Sequence, residues 1–279
     1  MMKGKTLYVS DMDGTLLGSD GRVSDRTAGI ITRLSYLGVP ITVATARTPA
    51  TVRPLLAQTH TIVDAVVMTG AATWSRADNV YTDVRYMSAA DVRRGLDLCA
   101  ECGVHPFVYT MGEDRRSLDV YHRARELNKA EEGFYLERAK LKRFHIGQEL
   151  PEAAEAETAL FFAIGVRVAV ESAAKELRER SECAVCCYPD IYNPGIGNLE
   201  VFAPGVSKAA AVRELKKKTG ASRLVVFGDN LNDLPMLAEA DLAVAVGNAL
   251  PAVKEAADIV IEPNYTDSVA RFIEYDSGL

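Results

Sequence analysis

Asp11 and Asp13 stand two residues apart at the end of an apolar run, residues 6–10, that reads as a buried strand. Two carboxylates so placed repel each other and lose hydration, so the position calls for a compensating positive group. Other polar residues end strands or open helices in the same manner. Thr45 closes the apolar run 40–45, Asp229 closes the run 223–229, and Lys208 starts the helix that follows Ser207. In an open parallel sheet, ligands sit at the carboxyl ends of the strands. Three carboxylates, one lysine and one hydroxyl converging there describe a site for a hard cation and a phosphate. Mg²⁺ suits such a set, because it takes oxygen ligands and keeps waters and substrate phosphate in its shell. Lys208 would balance the phosphate charge.

The elements that must position these residues alternate between strand and helix. Ser24 can cap a helix running to about Leu37, with Gly38 ending it. Thr48 and Pro49 read as an N-cap followed by proline at the first helical position, and Pro54 shortens or kinks that helix. Residues 65–69 form a third strand. The last third repeats the pattern. Ser207 caps a helix stopped by Gly220, residues 223–229 form a strand, a helix follows from about Asp233, and 242–246 and 258–262 are strands with a helix between them. Strands that are apolar throughout and alternate with helices predict an α/β fold, a Rossmann-like parallel sheet covered on both faces.

The middle of the chain, about 84–203, is richer in charge and reads as a separate α+β domain, with helices over 88–102 and 169–180 and strand-like pieces beginning near 105, 160 and 182. The expected organisation is a core of residues 1–83 and 204–279 with an inserted domain, 84–203. The chain of 279 residues carries a formal charge of −6 and a sequence pI near 5.4. An acidic balance argues against a general nucleic-acid binder. No apolar run approaches a membrane span, and residues 1–5 lead into a strand without the apolar stretch of a signal peptide. The reading is a soluble cytoplasmic protein with no membrane partner.

Taken together, these residues resemble the haloacid dehalogenase superfamily of phosphatases. Asp11 to Thr15 match its D-x-D-G-T motif, Thr45 the second motif, Lys208 the third, and residues 228–233 the fourth, G-D-x-x-N-D. Residues 246–258 continue the likeness, and the long insertion resembles the large α/β (type IIB) cap of the Cof-type subfamily. The resemblance implies Asp11 as a nucleophile that forms an aspartyl-phosphate, and Asp13 as the acid and base. It implies Mg²⁺ held by Asp11, the Asp13 main-chain carbonyl and Asp229. Thr45, Lys208 and Asn232 would bind phosphate, Asp233 would support the metal's water shell and Lys208, and the Ala46 main-chain N–H would add a donor. Arg47 lies beside this set. Three positions depart from the subfamily pattern. Ala46-Arg47 replaces Gly-Arg, Thr69-Gly70 replaces Asn-Gly, and Ser268-Val269 replaces Gly-Val. Thr69 keeps a hydrogen-bonding oxygen and lacks the amide donor.

The implied activity is Mg²⁺-dependent hydrolysis of a small phosphorylated metabolite, a sugar phosphate foremost, with a cap that closes over the core and chooses the substrate. The motifs do not separate water from a sugar hydroxyl as acceptor, so a phosphotransferase remains an alternative, as does a non-catalytic phosphometabolite sensor. The cysteines at 99, 102, 183, 186 and 187 contain two C-x-x-C spacings. In a helix end and a strand these spacings favour small core residues over a zinc site. The histidines at 60, 105, 122 and 145 form no ligand pattern, and residues 192–198 read as a turn-rich loop.

Overall fold

The computed structural model describes residues 5–190 and 193–279. Residues 1–4 and Tyr192, the first residue of the turn-rich segment, lie outside the described residues. The chain divides into two compact units. One comprises the residues up to Asp83 together with Ser207–Leu279, the other Val84–Val206. By this division the second crossing lies at Val206, three residues beyond the expected boundary at 203. The first segment runs β1 (Thr6–Ser10), α1 (Asp25–Tyr36), β2 (Ile41–Val43), α2 (Pro49–Leu55), β3 (Ala65–Val67), β4 (Ala72–Ser75) and β5 (Val80–Val84). Ser24 caps α1 by accepting the Thr27 N–H at 3.0 Å. Thr48 has the extended backbone of an N-cap but makes no cap bond, and its buried hydroxyl has no partner. The expected strand 65–69 stops at Val67, since Met68 and Thr69 both turn to positive φ, 53° and 56°.

The inserted unit runs α3 (Ala89–Glu101), β6 (Phe107–Met111), β7 (Leu118–His122), α4 (Lys129–Arg138), β8 (Arg143–Ile146), α5 (Glu152–Glu155), β9 (Thr158–Val166), α6 (Arg167–Arg180), β10 (Ala184–Pro189) and β11 (Ile196–Phe202). Its sheet has the order β10-β11-β9-β6-β7-β8. All pairings are antiparallel except β7 with β8. Helices α3 and α6 cover one face, where Gly95 and Gly197 let Phe161 and Val170 approach closely. Helix α4 covers part of the other, with Phe134 stacked on Phe162 at 4.4 Å. All five cysteines are free thiols, Cys99 and Cys183 buried.

The chain then returns to the first unit as α7 (Lys208–Thr219), β12 (Arg223–Gly228), α8 (Leu234–Leu237), β13 (Leu242–Ala245), α9 (Pro251–Ala256), β14 (Ile259–Val260) and α10 (Ser268–Ser277). Its main sheet is parallel, in the order β14-β13-β12-β1-β2. A parallel bridge from Ala44 to Val66 brings β3 beside β2. Leu7, Val9, Val225 and Phe227 are fully buried, as central strands covered on both faces require. The chain builds outward from β1 in one direction with β2 and β3, and in the other with β12 to β14. Such a reversal of strand order leaves a crevice beyond the strand ends, and β1 and β12 flank it. Among the described residues, no helix is long and apolar enough to cross a membrane.

Candidate active site

Beyond β1 the backbone leaves the extended conformation at once. Met12–Leu16 forms a tight turn in which Gly14 takes φ +81°. A Cβ on Gly14 would lie 2.4 Å from Asp229 Oδ2, so this glycine provides both the turn and the close approach of the carboxylate. Asn248 Nδ2 donates to the Gly14 carbonyl at 2.7 Å, and Thr15 Oγ1 donates to Asp229 Oδ1 at 2.9 Å. These bonds tie the turn after β1 to the ends of β12 and β13. Neither Thr15 nor Asn248 stood out as a site residue in the sequence, although both lie within motifs singled out there.

Asp233 holds the loop after β12. Its Oδ2 accepts the N–H groups of Asp229 and Asn230, each at 3.2 Å. Its Oδ1 accepts from Lys208 Nζ at 2.9 Å, and the same ammonium donates to Asp11 Oδ1 at 2.5 Å. Lys208 reaches this point because Ser207 caps α7, accepting the Ala210 N–H at 3.1 Å. Gly70, at φ +94°, lies against the Ser207 carbonyl so closely that a Cβ there would come within 2.3 Å. The loop after β3 therefore sets the start of α7.

Oxygens of Asp11, Asp229 and Asp233 lie within 4.8 Å of one another. Asp11 is 6% exposed, Lys208 3% and Asp233 0%. Asp11 and Asp233 thus share one buried ammonium, and the half-buried Asp229 carboxylate lies beside them. Burial pushes the Asp11 carboxyl up to about 7 and that of Asp229 up to about 6. Burial also acts against the charge on Lys208, but the charges and hydrogen bonds of Asp11 and Asp233 together outweigh it and raise its pKa. The excess negative charge and the all-oxygen donors fit a hard dication.

A family model of haloacid dehalogenase-like hydrolases matches residues 8–273. The chain belongs to this family. It is 28% identical over 274 residues to a 5-amino-6-(5-phospho-D-ribitylamino)uracil phosphatase of Bacillus subtilis, covering 96% of this chain and 94% of the relative. It is 30% identical over 252 residues to an HMP-PP phosphatase of Cronobacter sakazakii, covering 86% and 84%. A solved haloacid dehalogenase-like hydrolase of Bacteroides thetaiotaomicron shares the fold with a TM-score of 0.75 at 21% identity, over 98% of this chain and all (100%) of that one.

In this member of the haloacid dehalogenase-like hydrolases, the motif residues fall into two groups. Asp11, Lys208, Asp229 and Asp233 gather around one point. Asp13 does not join them. Its side chain is 55% exposed and held by Arg47, whose Nε and Nη2 donate to its two oxygens at 2.7 and 2.6 Å. A spacing of two puts side chains on one face only in an extended chain, and the turn at Met12 ends that condition. Thr45 is buried at the end of the β2 segment, where its Oγ1 accepts the Arg47 N–H at 3.2 Å. Ala46 and Asn232 stand exposed on their turns.

Proposed function

We propose that this chain is a Mg²⁺-dependent phosphatase of small phosphorylated metabolites that works by phosphoryl transfer to Asp11. The observation that carries the reading is the cluster of three carboxylates, two of them buried and paired with the Lys208 ammonium, with Asp11 fixed by Lys208 at 2.5 Å. Asp11, the Asp13 carbonyl and Asp229 would hold Mg²⁺. When bound, the cation supplies positive charge to the phosphoryl oxygens.

The remaining work falls to the side chains. The Asp11 oxygen not engaged by Lys208 attacks phosphorus as the bond to the leaving oxygen breaks. Asp13 turns from Arg47 and gives the leaving oxygen its proton, then takes one from the water that cleaves the aspartyl-phosphate. Lys208 and Thr45 bind phosphoryl oxygens, the Ala46 N–H and Asn232 add donors, and Asp233 keeps Lys208 aimed. Arg47 holds Asp13 between turnovers. The inserted unit serves as the cap that selects the substrate. Sugar phosphates are the first class to try, and the uracil phosphatase among the relatives extends the set to phosphorylated heterocycles.

The test is a screen of phosphorylated metabolites and p-nitrophenyl phosphate for phosphate release with and without Mg²⁺. The expected result is release without any added acceptor, reversible loss in EDTA, and loss in Asp11→Asn. Turnover that persists in EDTA or in Asp11→Asn overturns the mechanism. Turnover that requires a sugar acceptor replaces hydrolysis with phosphotransfer.

A further inference from the structure

Asp13 and Arg47 form a pair that the proposed reaction must break, and the break leaves a guanidinium beside the site. Nε and Nη2 of Arg47 donate to the two oxygens of Asp13 at 2.7 and 2.6 Å. Both carboxylate oxygens are thereby engaged, so Asp13 reaches a leaving oxygen only by turning away. Its side chain is 55% exposed and follows a turn that Gly14 makes, so little packing opposes that movement. Arg47 has no such freedom in its backbone. Its N–H donates to Thr45 Oγ1 at 3.2 Å, and its carbonyl accepts the Met68 N–H at 3.0 Å. Thr45 is held in turn, its N–H donating to the Val66 carbonyl and its carbonyl accepting the Thr69 N–H, each at 3.0 Å. Arg47 is thus fixed between the end of β2 and the turn after β3, two residues from Thr45, a proposed ligand of the phosphoryl group.

Among the described residues, Asp13 is the carboxylate with which Arg47 forms an ion pair. The next negative charge to act on the guanidinium is that of Asp11. Asp11 is committed to Lys208 at 2.5 Å and to the attack on phosphorus. When Asp13 turns inward, the Arg47 fork keeps its place and loses its partner. A guanidinium with two aligned donors is a site for a planar group that offers two oxygens. The Arg47 side chain is 36% exposed, so a bound ester can reach it. The phosphoryl group under transfer is already met by Thr45 and Lys208, so the second group is a carboxylate on the part that leaves. Asp13 protonates the leaving oxygen, and Arg47 stands against Asp13. That carboxylate therefore belongs on the carbon that bears the leaving oxygen.

We infer that Arg47 selects phosphate monoesters of 2-hydroxy acids, whose carboxylate takes the place that Asp13 vacates on the guanidinium. The inference rests on the phosphatase reading above and narrows its substrate class. In the resting protein Asp13 stands where the substrate carboxylate will sit. Binding of such an ester displaces Asp13 from Arg47 and frees it for the leaving oxygen. An ester with a neutral end offers nothing to the fork and leaves Asp13 engaged. Only hydrogen bonds change in this exchange, because one carboxylate replaces another on the same two donors.

The experiment compares kcat/KM of the full chain, with Mg²⁺, for 2-phosphoglycolate and 2-hydroxyethyl phosphate, which differ in a carboxylate against a hydroxymethyl group. The wild type, Arg47→Met and Arg47→Lys are measured, with p-nitrophenyl phosphate as the control ester. The ratio of the two esters within each protein cancels any effect of the substitution on Asp13 itself. The expected wild-type preference for phosphoglycolate is roughly tenfold, the contribution of a hydrogen bond between charged groups. It should vanish in Arg47→Met. It should fall at least about threefold in Arg47→Lys, whose ammonium is a point charge and cannot make both bonds of the fork. Unfolding midpoints show which variants fold, and Arg47→Lys decides if Arg47→Met does not. Equal turnover of the two esters by the wild type, or a preference that survives in the folded variants, overturns the inference, while release from p-nitrophenyl phosphate leaves the phosphatase reading standing. Release from none of the three esters overturns the phosphatase reading and this inference with it.

Discussion

Around Asp11 in the core, burial lifts a carboxyl to about 7, and around His122 in the inserted unit burial drives an imidazole down to about 4. The same penalty on charge meets two different surroundings. In the core, Lys208 bridges Asp11 and Asp233, and backbone N–H groups fill the rest of Asp233. In the inserted unit, His122 is 1% exposed and stacks on Phe107 at 4.4 Å. Neither of its ring nitrogens makes a well-formed hydrogen bond, and the polar groups facing it are the Pro106 carbonyl and His105. The core is built to keep charge in a dry place, which suits a dication and a phosphoryl group. The inserted unit answers the same penalty at His122 by keeping the ring neutral in an apolar stack.

The most severe way to break this contrast is at Asp11. Asp11→Asn keeps the shape and removes one of the clustered charges, so the chain should fold while phosphate release drops by roughly 10³-fold or more. Steady-state kinetics with Mg²⁺ check it. Removing the cation of the cluster comes next. Lys208→Met leaves buried carboxylates unbalanced and should lower stability by about 3–5 kcal/mol in urea titrations with EDTA present.

The inserted unit should respond to acid. The folded pKa of His122 lies below its ordinary 6.5. Its neutral form therefore favours folding fully above about pH 6.5, and the advantage is lost as pH falls toward about 4, because the unfolded chain takes up the proton first. With one unit equal to about 1.4 kcal/mol, the loss is on the order of 3 kcal/mol by pH 4. His122→Leu should remove that slope from unfolding midpoints measured across the range. An unchanged slope would show that burial does not govern this ring.

Gly14→Ala forces a Cβ against Asp229 at φ +81° and should lower stability by about 1–3 kcal/mol. The Asp13–Arg47 pair is half exposed, so Arg47→Ala should shift stability by no more than about 1 kcal/mol. A much larger loss there would place Asp13 among the buried charges after all.

The clustered residues were legible because each stands at a strand end or helix start, where the polypeptide itself sets direction. Asp11 follows β1, Asp229 follows β12, and Lys208 follows the capping Ser207. Asp13 stands apart from the cluster because its side chain follows a turn, and residues two apart share a face only while the chain stays extended. Thr48 has the residue type of a cap without its bond, which depends on where the hydroxyl is aimed by tertiary packing. The hairpin of β4 and β5 went unread, as did β7 and β8, whose short alternations such as Arg143-Phe-His-Ile are hidden among charged flanks. The left-handed pair Met68 and Thr69 follows from the fit of its loop against α7, a contact between segments far apart in sequence.

The claim at the centre is that Asp11 carries the phosphoryl group and Asp13 moves the proton. The most direct measurement is the mass of the Asp13→Asn chain, acid-quenched during exposure to acetyl phosphate and Mg²⁺. Acetate leaves readily without a proton, so transfer to the enzyme should proceed while hydrolysis stalls. The account predicts one added phosphoryl group on the peptide that contains Asp11, absent when Asp11→Asn is combined with Asp13→Asn. A phosphoryl group found on another residue, or steady phosphate release by the double variant, would contradict it.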